Sequence, residues 1–338
     1  MYVRRNISFR VIFAFGWLRV SIFTLIGFAA VCLYLYMDCL WVAIPFLPVS
    51  LVGTATAFYI GFKNNASYDR LWEARRLWGG IVNDSRSWAF CCRDYITNLF
   101  SNEELSKDEL HSWNKKLIYT HIAYLNALRM QLRKSQTWEH NAQWNENFRD
   151  RLNSKYDIKE LETDIRKLCG DEVCSRVIHH TNIASSLLSE QSKTLEELRR
   201  KGLIDDFRHI ELQKIIQNFL NHQGGCERIK NFPFPRQYAV FSNIFVWLFV
   251  IILPFSLLES FGEISRTFTW MVIPFSVLVS WLLMTMELVG DYSENPFENL
   301  INDVPINAMS RNIEIELREY LGEKDLPPKI QPINDILL

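Results

Sequence analysis

Four long apolar stretches, each able to cross a lipid bilayer, constrain the fold of this 338-residue chain more than any other feature. A membrane-spanning helix takes about 20 predominantly apolar residues. The predicted spans are Val20–Met37, Leu40–Phe62, Tyr238–Leu258 and Phe268–Glu287, and none carries Lys or Arg in its middle. The alternative is that some of them are buried helices of a soluble core. The charges that flank the spans argue against that alternative.

Positive charge is distributed unevenly around the four stretches. Basic residues cluster before the first span and after the second, at Arg4, Arg5, Arg10, Arg19, Lys63, Arg70, Arg75 and Arg76. The link from Asp38 to Trp41 has no Lys or Arg, and the link between the last two spans carries only Arg266. Because short cytoplasmic segments are enriched in Lys and Arg, we expect a multi-pass protein with both termini and the middle region in the cytoplasm.

The remaining sequence indicates an all-α protein. No proline occurs between Pro48 and Pro233, and strand-like alternation is absent. Ser101 and Glu104 have the spacing of a helix-starting capping box. We expect two spans in residues 1–62, a cytoplasmic helical domain over 63–236, two further spans in 237–289, and a cytoplasmic segment over 290–338.

Composition and motifs exclude several classes of function. The 37 basic and 38 acidic residues leave no basic excess for nucleic acid. The chain lacks GxSxG, Walker, GxGxxG and HExxH motifs, and its 7 cysteines form no CxxC pair. We therefore expect no enzyme activity, no cofactor and no metal site.

One side of the second predicted span points to a pore. Thr54, Phe58 and Phe62 lie four residues apart, so they fall on nearly one stripe of a helix. Such a stripe can pack against the other spans of the same chain. If several copies surround an axis, it becomes a ring of apolar side chains instead, and such rings gate ions by excluding water.

Six segments, in colinear order over almost the whole chain, resemble the bacterial members of the bestrophin family. They are GFKNNASYDRLWEARRLWG from Gly61 to Gly79, CERIKNFPFPRQY from Cys226 to Tyr238, LPFSL from Leu253 to Leu257, ENPF from Glu294 to Phe297, NDVP from Asn302 to Pro305, and RNIEIELR from Arg311 to Arg318. The region from about Ser101 to Lys201 contributes least to the resemblance.

The resemblance implies a homopentameric ion channel in a bacterial inner membrane, with five copies of the second span around a central pore. It assigns the hydrophobic neck of that pore to Thr54, Phe58 and Phe62. Thr54 departs from the large apolar residue usual in the family, so the outer ring would be wider and wetter. A second constriction at the cytoplasmic end would be formed by Ile183, with Ile178 as the rival candidate.

Animal members of the family bind calcium through an acidic cluster that follows the NPF motif. Here only Asp303 is a plausible equivalent, and Leu300 stands where a carboxylate would be needed. Calcium takes six to eight oxygen ligands, so we expect no calcium site.

The expected function is a channel for small monovalent ions, with chloride or another anion as the first expectation. A ring of phenyl groups carries no net charge, and its edges favour anions whereas its faces favour cations. A monovalent cation channel of the same architecture therefore stays open. A non-conducting membrane adaptor is the other alternative, motivated by Trp113, Trp138 and Trp144, which we expect to be exposed on the helical surface of the middle region.

Overall fold

The structure is a computed structural model that describes residues 1–7, 9–101, 104–140, 145 and 157–338, with the side chains of residues 9–15 set aside. Within these ranges the regular elements are helices, and β pairing is limited to two isolated bridges near the ends of the chain. The α-helices are α1 (Phe9–Tyr36), α2 (Phe46–Tyr95), α3 (Lys107–Leu132), α4 (Ile158–Cys169), α5 (Asp171–Val177), α6 (Ile183–Arg200), α7 (Asp206–Asn231), α8 (Arg236–Gly262), α9 (Val272–Asp291) and α10 (Ile306–Tyr320). The prediction of an all-α protein is confirmed for this part of the chain.

The chain divides into two compact units. The first, here called the span unit, consists of residues 4–70 and 233–294. The second, here called the lobe unit, consists of residues 1–3, 71–232 and 295–338. Helix α2 contributes residues to both. Its 50 residues make it about 75 Å long, so most of it must extend beyond a hydrocarbon core of about 30 Å.

Among the described residues, four helices are long and apolar enough to cross a membrane, and the span unit holds α1, α8, α9 and the first part of α2. Helices α1, α8 and α9 pack pairwise on one another, around a buried cluster that includes Phe23, Phe249 and Met284. Only 11–39% of the most apolar window of each helix is buried within the protein. So much outward apolar surface would be unfavourable in water but is expected in contact with lipid or with further copies of the chain.

The second and fourth spans begin at Leu40 and Phe268, as predicted, but each starts with a short 3₁₀ turn ahead of its α-helix. Residues Leu40–Val42 form a short 3₁₀ turn, and α2 starts only at Phe46. Pro45 disfavours a helical conformation for the residue before it, whereas Pro48 fits within the first helical turn. Residues Phe268–Met271 are likewise a 3₁₀ turn ahead of α9.

Helix α3 begins later than the Ser101–Glu104 capping box predicted. Its N-cap is Ser106, whose hydroxyl accepts from the Glu109 backbone N–H at 3.2 Å, and the Glu109 carboxylate accepts from the Ser106 N–H at 2.8 Å. The predicted capping box is wrong because the same serine-to-glutamate spacing recurs five residues later. There it directly precedes the apolar face that α3 buries.

Large aromatic side chains fill the core of the lobe unit. Trp78 and Trp88 of α2 are fully buried, together with Tyr124 of α3 and Phe219 of α7. Trp88 meets Phe219 edge to face, with ring centroids 6.4 Å apart. Fully burying one aromatic side chain contributes roughly 1.5–3 kcal/mol, so these four side chains hold the helices of the unit together.

His121 is a buried polar group at the centre of this core. Its ring centroid lies 4.5 Å from that of Phe219, and its Nε2 lies 2.9 Å from the Ser85 Oγ. The Ser85 hydroxyl donates to the Ile81 carbonyl at 2.6 Å, so His121 Nε2–H is the donor to Ser85. Burial lowers the pKa of His121 to about 3 and keeps the ring neutral.

The first prediction concerns stability at acid pH. The unfolded His121 takes up a proton below pH ~6.5, whereas the folded ring stays neutral until about pH 3. The unfolded state therefore binds more protons, and the folded state loses about 1.4 kcal/mol of stability per pH unit as the pH falls through this window. Replacing His121→Gln should flatten the pH dependence of the melting temperature between about pH 7 and about pH 5. An unchanged slope would contradict a neutral buried ring.

Candidate functional site

The candidate site is an exposed stripe along the first part of α2. The side chains of Phe58 and Phe62 are 67% and 69% exposed, and Thr54 is exposed as well. The Thr54 hydroxyl donates to the Ser50 carbonyl at 2.9 Å, so the helix itself satisfies it. The structure thus brings the three predicted neck residues onto one open face of the span unit. Their role as a neck stays a prediction.

The stripe continues beyond Phe62 with polar residues that the sequence reading missed. Asn65 and Asp69 are both exposed. At 100° per residue, positions 54, 58, 62, 65 and 69 fall within about 80° of the helix circumference. The alternation of three- and four-residue steps is the signal that was available. The predicted stripe ended at Phe62 because charged residues beyond a membrane span usually form a solvated face.

The opposite side of the same segment is buried against the other spans. Thr56, Ile60, Lys63 and Ser67 are each at most 2% exposed. Positions at these spacings form the inner seam of the helix, about half a turn from the stripe. One side of α2 is therefore fixed within the span unit, and the other is left without a partner inside the protomer.

A buried ion pair occupies this inner seam. Lys63 Nζ lies 2.5 Å from Glu287 Oε1 of α9 and 3.6 Å from Asp291 Oδ1. The Ser242 hydroxyl of α8 donates to Glu287 Oε2. The next residue, Asn64, donates from its amide to the Met286 carbonyl at 3.1 Å. These contacts join residues far apart in the sequence, 224 positions for Lys63 and Glu287, and no local pattern in the sequence predicted them.

The loop after α9 contains Asp303 and Leu300, the two residues on which the expected lack of a calcium site rests. Asp303 is fully buried and lies 3.1 Å from Arg133 Nη1, and it accepts from the Asn299 N–H at 2.6 Å. Burial raises the pKa of Asp303 to about 6, and the neighbouring Arg133 opposes this rise. Leu300 is buried as well. The one carboxylate that could have replaced a calcium ligand is thus neutralised by a cation of the protein itself.

Glu298 is another buried carboxylate of this loop. Its Oε2 lies 2.8 Å from His140 Nδ1, and its Oε1 accepts from the Asn295 amide at 2.5 Å. No group of three or more His, Cys, Asp or Glu side chains with the geometry to hold a metal ion occurs in the described part of the chain.

The two candidates for the cytoplasmic constriction lie within the lobe unit. Ile183 is the first residue of α6, is 4% exposed, and belongs to the buried core. Ile178 is half-buried and packs against that core. To form a ring around a shared axis, the Ile183 side chain would have to leave the core of its own protomer. The assignment of this constriction stays a prediction.

The tryptophans that motivated an adaptor are less accessible than the sequence reading assumed. Trp113 is half-buried, and the amines of Lys116 and Lys201 lie 4.8 and 5.6 Å from its ring centroid. Trp138 is also half-buried. Trp144 lies outside the described residues.

Comparison with known proteins places this architecture in a family. The profile of the family described as Bacterial/Fungal Bestrophin protein matches residues 10–319. The chain therefore belongs to the bestrophin family, as its sequence motifs predicted.

Two bacterial proteins are similar to this chain in sequence. The voltage-dependent anion channel-forming protein RSc3414 of Ralstonia nicotianae is 32% identical over 279 residues, which cover 82% of this chain and 78% of the relative. The voltage-dependent anion channel-forming protein YneE of Escherichia coli strain K12 is 30% identical over 286 residues, which cover 84% and 80%.

The fold matches solved structures as well. A crystal structure of a bacterial bestrophin homolog from Klebsiella pneumoniae superposes with a TM-score of 0.75 at 24% identity, covering 92% of this chain and 99% of that one. At this level of identity the likeness establishes the shared fold.

The second prediction tests the buried pair in the loop after α9. Replacing Arg133→Met leaves Asp303 buried without its cation, which should lower the free energy of unfolding by about 3–5 kcal/mol. The paired variant Arg133→Met with Asp303→Asn should cost clearly less than the two single changes added together. Thermal unfolding of the purified protein measures both.

Arg93→Met is the matched control, because the Arg93–Asp94 pair lies on the surface of α2 with more than half of each side chain exposed. It should leave the melting temperature unchanged. Additive losses in the paired variant would contradict a coupled pair of Arg133 and Asp303.

Proposed function

We propose that the chain forms an oligomeric channel for small monovalent ions in a bacterial inner membrane, with Thr54, Phe58 and Phe62 as its hydrophobic neck. Five subunits are expected from the family. The observation that carries the proposal is the pair of phenyl rings that stand two-thirds exposed on one face of α2. Anions are the first expectation, because relatives at 30–32% identity are named as anion channel-forming proteins.

The physical argument starts from what an exposed phenyl ring does in each setting. Facing lipid, Phe58 and Phe62 would be unremarkable and would carry no function. Facing a shared axis, several copies would line a passage whose walls offer no hydrogen bonds. Water is excluded from such a narrow apolar passage, and ions cannot enter it because they would lose their hydration shells. The neck is therefore closed when dry and conducts when it widens or wets.

Orientation in the membrane belongs to the same proposal. The basic residues before α1 and in α2 after Lys63 favour a cytoplasmic position for both termini and for the lobe unit.

The third prediction tests the neck. Replacing Phe58→Ala or Phe62→Ala removes a ring of phenyl groups, which should raise ion flux several-fold because a wider passage stays wet. Purified protein in liposomes, read with chloride and sodium flux assays, measures the change. Phe241→Ala is the control, since this phenyl ring is 48% exposed on α8 and lies off the stripe.

Unchanged flux in both α2 variants, with a stable oligomer present, would remove these residues from the gate. No flux of any monovalent ion in the unaltered protein would favour the non-conducting adaptor instead.

A cation channel is the second candidate, and Asp69 is the observation that favours it. Its exposed carboxylate lies on the stripe two helical turns after Phe62, about 10 Å along the helix. Several copies around one axis would place a ring of negative charge beside the neck. Rings of Asp or Glu favour cations in channels.

The fourth prediction separates the two candidates. If Asp69 faces the ion path, Asp69→Asn should move the reversal potential in a salt gradient toward the equilibrium potential of the anion. The shift should shrink in concentrated salt, because the screening length falls from about 10 Å at 0.1 M to about 3 Å at 1 M. Asp94→Asn, an exposed carboxylate farther along α2, is the control. Identical reversal potentials in all three proteins would place Asp69 outside the path.

A further inference from the structure

The buried pair of Lys63 and Glu287 is not accounted for by a hydrophobic neck. Both residues lie in the span unit, where they are 1% and 3% exposed. Ionised groups in such surroundings are expensive, and they persist where they serve a specific purpose. Lys63 directly follows Phe62, the last residue of the proposed neck.

Glu287 joins three helices through its two carboxylate oxygens. Oε1 receives Lys63 Nζ of α2 at 2.5 Å, and Oε2 receives the hydroxyl of Ser242 of α8. Ser242 is itself fully buried. Because both oxygens are engaged, the carboxylate cannot turn without breaking one of these contacts. The position of Lys63 relative to α8 and α9 is therefore fixed.

Asn64 holds α2 at a second point. Its amide donates to the Met286 carbonyl of α9 at 3.1 Å. Gly290 faces it, and a Cβ at that position would come within 2.0 Å of Asn64 Oδ1. Consecutive side chains point about 100° apart on a helix. Two adjacent anchors therefore fix both the rotation of α2 about its axis and its height against α9.

The exposed ring of Phe62 depends on these anchors for its direction. With 69% of the residue exposed, few contacts of its own hold it within the protomer. Its direction follows from the rotation of the backbone, which the next two residues determine.

We propose that Lys63, Glu287 and Ser242 are positioning residues that aim the phenyl ring of Phe62 into the ion path. This inference rests on the proposed neck function. Loss of the buried pair lets α2 rotate, so Phe62 leaves the axis and the neck leaks.

A double-mutant cycle tests this role. Lys63→Met and Phe62→Ala are made singly and together in the full chain, and chloride and sodium flux are measured in liposomes. Lys63→Met alone should raise flux by about threefold or more, whereas in the Phe62→Ala background it should add nothing, because there is no ring left to aim. Glu287→Gln, which breaks the pair from the other side, should behave in the same way.

Arg76→Met is the matched control. It removes a cation from the same helix, but its side chain is 71% exposed. Its flux should equal that of the unaltered protein. Size-exclusion chromatography compares the oligomers, and if Lys63→Met does not assemble, Glu287→Gln replaces it in the cycle.

The outcomes separate the two ideas. Equal changes in flux with and without Phe62, or no change on breaking the pair, overturn the positioning role and leave the neck standing. If Phe62→Ala itself leaves flux unaltered, the positioning role fails because Phe62 is not part of the gate, and the neck fails as well if Phe58→Ala also leaves flux unaltered. Only a rise in flux that vanishes without Phe62 supports the inference.

Discussion

The carboxylate of Glu287 organises the part of the chain on which the proposed function depends. Apolar side chains gain little by leaving lipid for a protein interior, so the helices of a membrane protein are held by close packing and by polar contacts between them. Here one carboxylate bonds to α2 and α8 from its place on α9. The buried seam of α2 follows from that contact. The outward stripe, with Phe58 and Phe62, lies on the side of α2 opposite this seam.

The lobe unit is stabilised by a buried aromatic core. Aromatic rings from α2, α3 and α7 pack together and exclude water, and some of the polar groups beside them are paired. His121 Nε2–H donates a hydrogen bond to the Ser85 hydroxyl, and Arg133 neutralises Asp303. The span unit differs, because a buried ion pair and the hydrogen bonds around Glu287 and Asn64 fix how its helices pack.

The features that depend on residues close together in the sequence could be predicted. Long apolar runs predicted the four spans, and four-residue spacing placed Thr54, Phe58 and Phe62 on one face. The sequence shows Pro45 and Pro48 near the start of the second span. The prediction did not use them to locate the start of α2 at Phe46, which follows Pro45 and keeps Pro48 in the first turn. The partners of Lys63 and Arg133 lie far away in the sequence, and only the folded chain brings them together. The burial of Ile183 likewise depends on packing among helices that no short motif encodes.

Gly290 gives α9 a notch into which the amide of Asn64 fits. One helical turn before Gly290, Met286 and Glu287 carry side chains on the same face of α9, so a slide of α2 toward them would drive that amide into these side chains. The position of α2 along α9 is consequently fixed. Any widening of the proposed pore that preserves the contact between Asn64 and Gly290 must move α9 together with α2. The moving part is then a pair of helices rather than one lining helix alone.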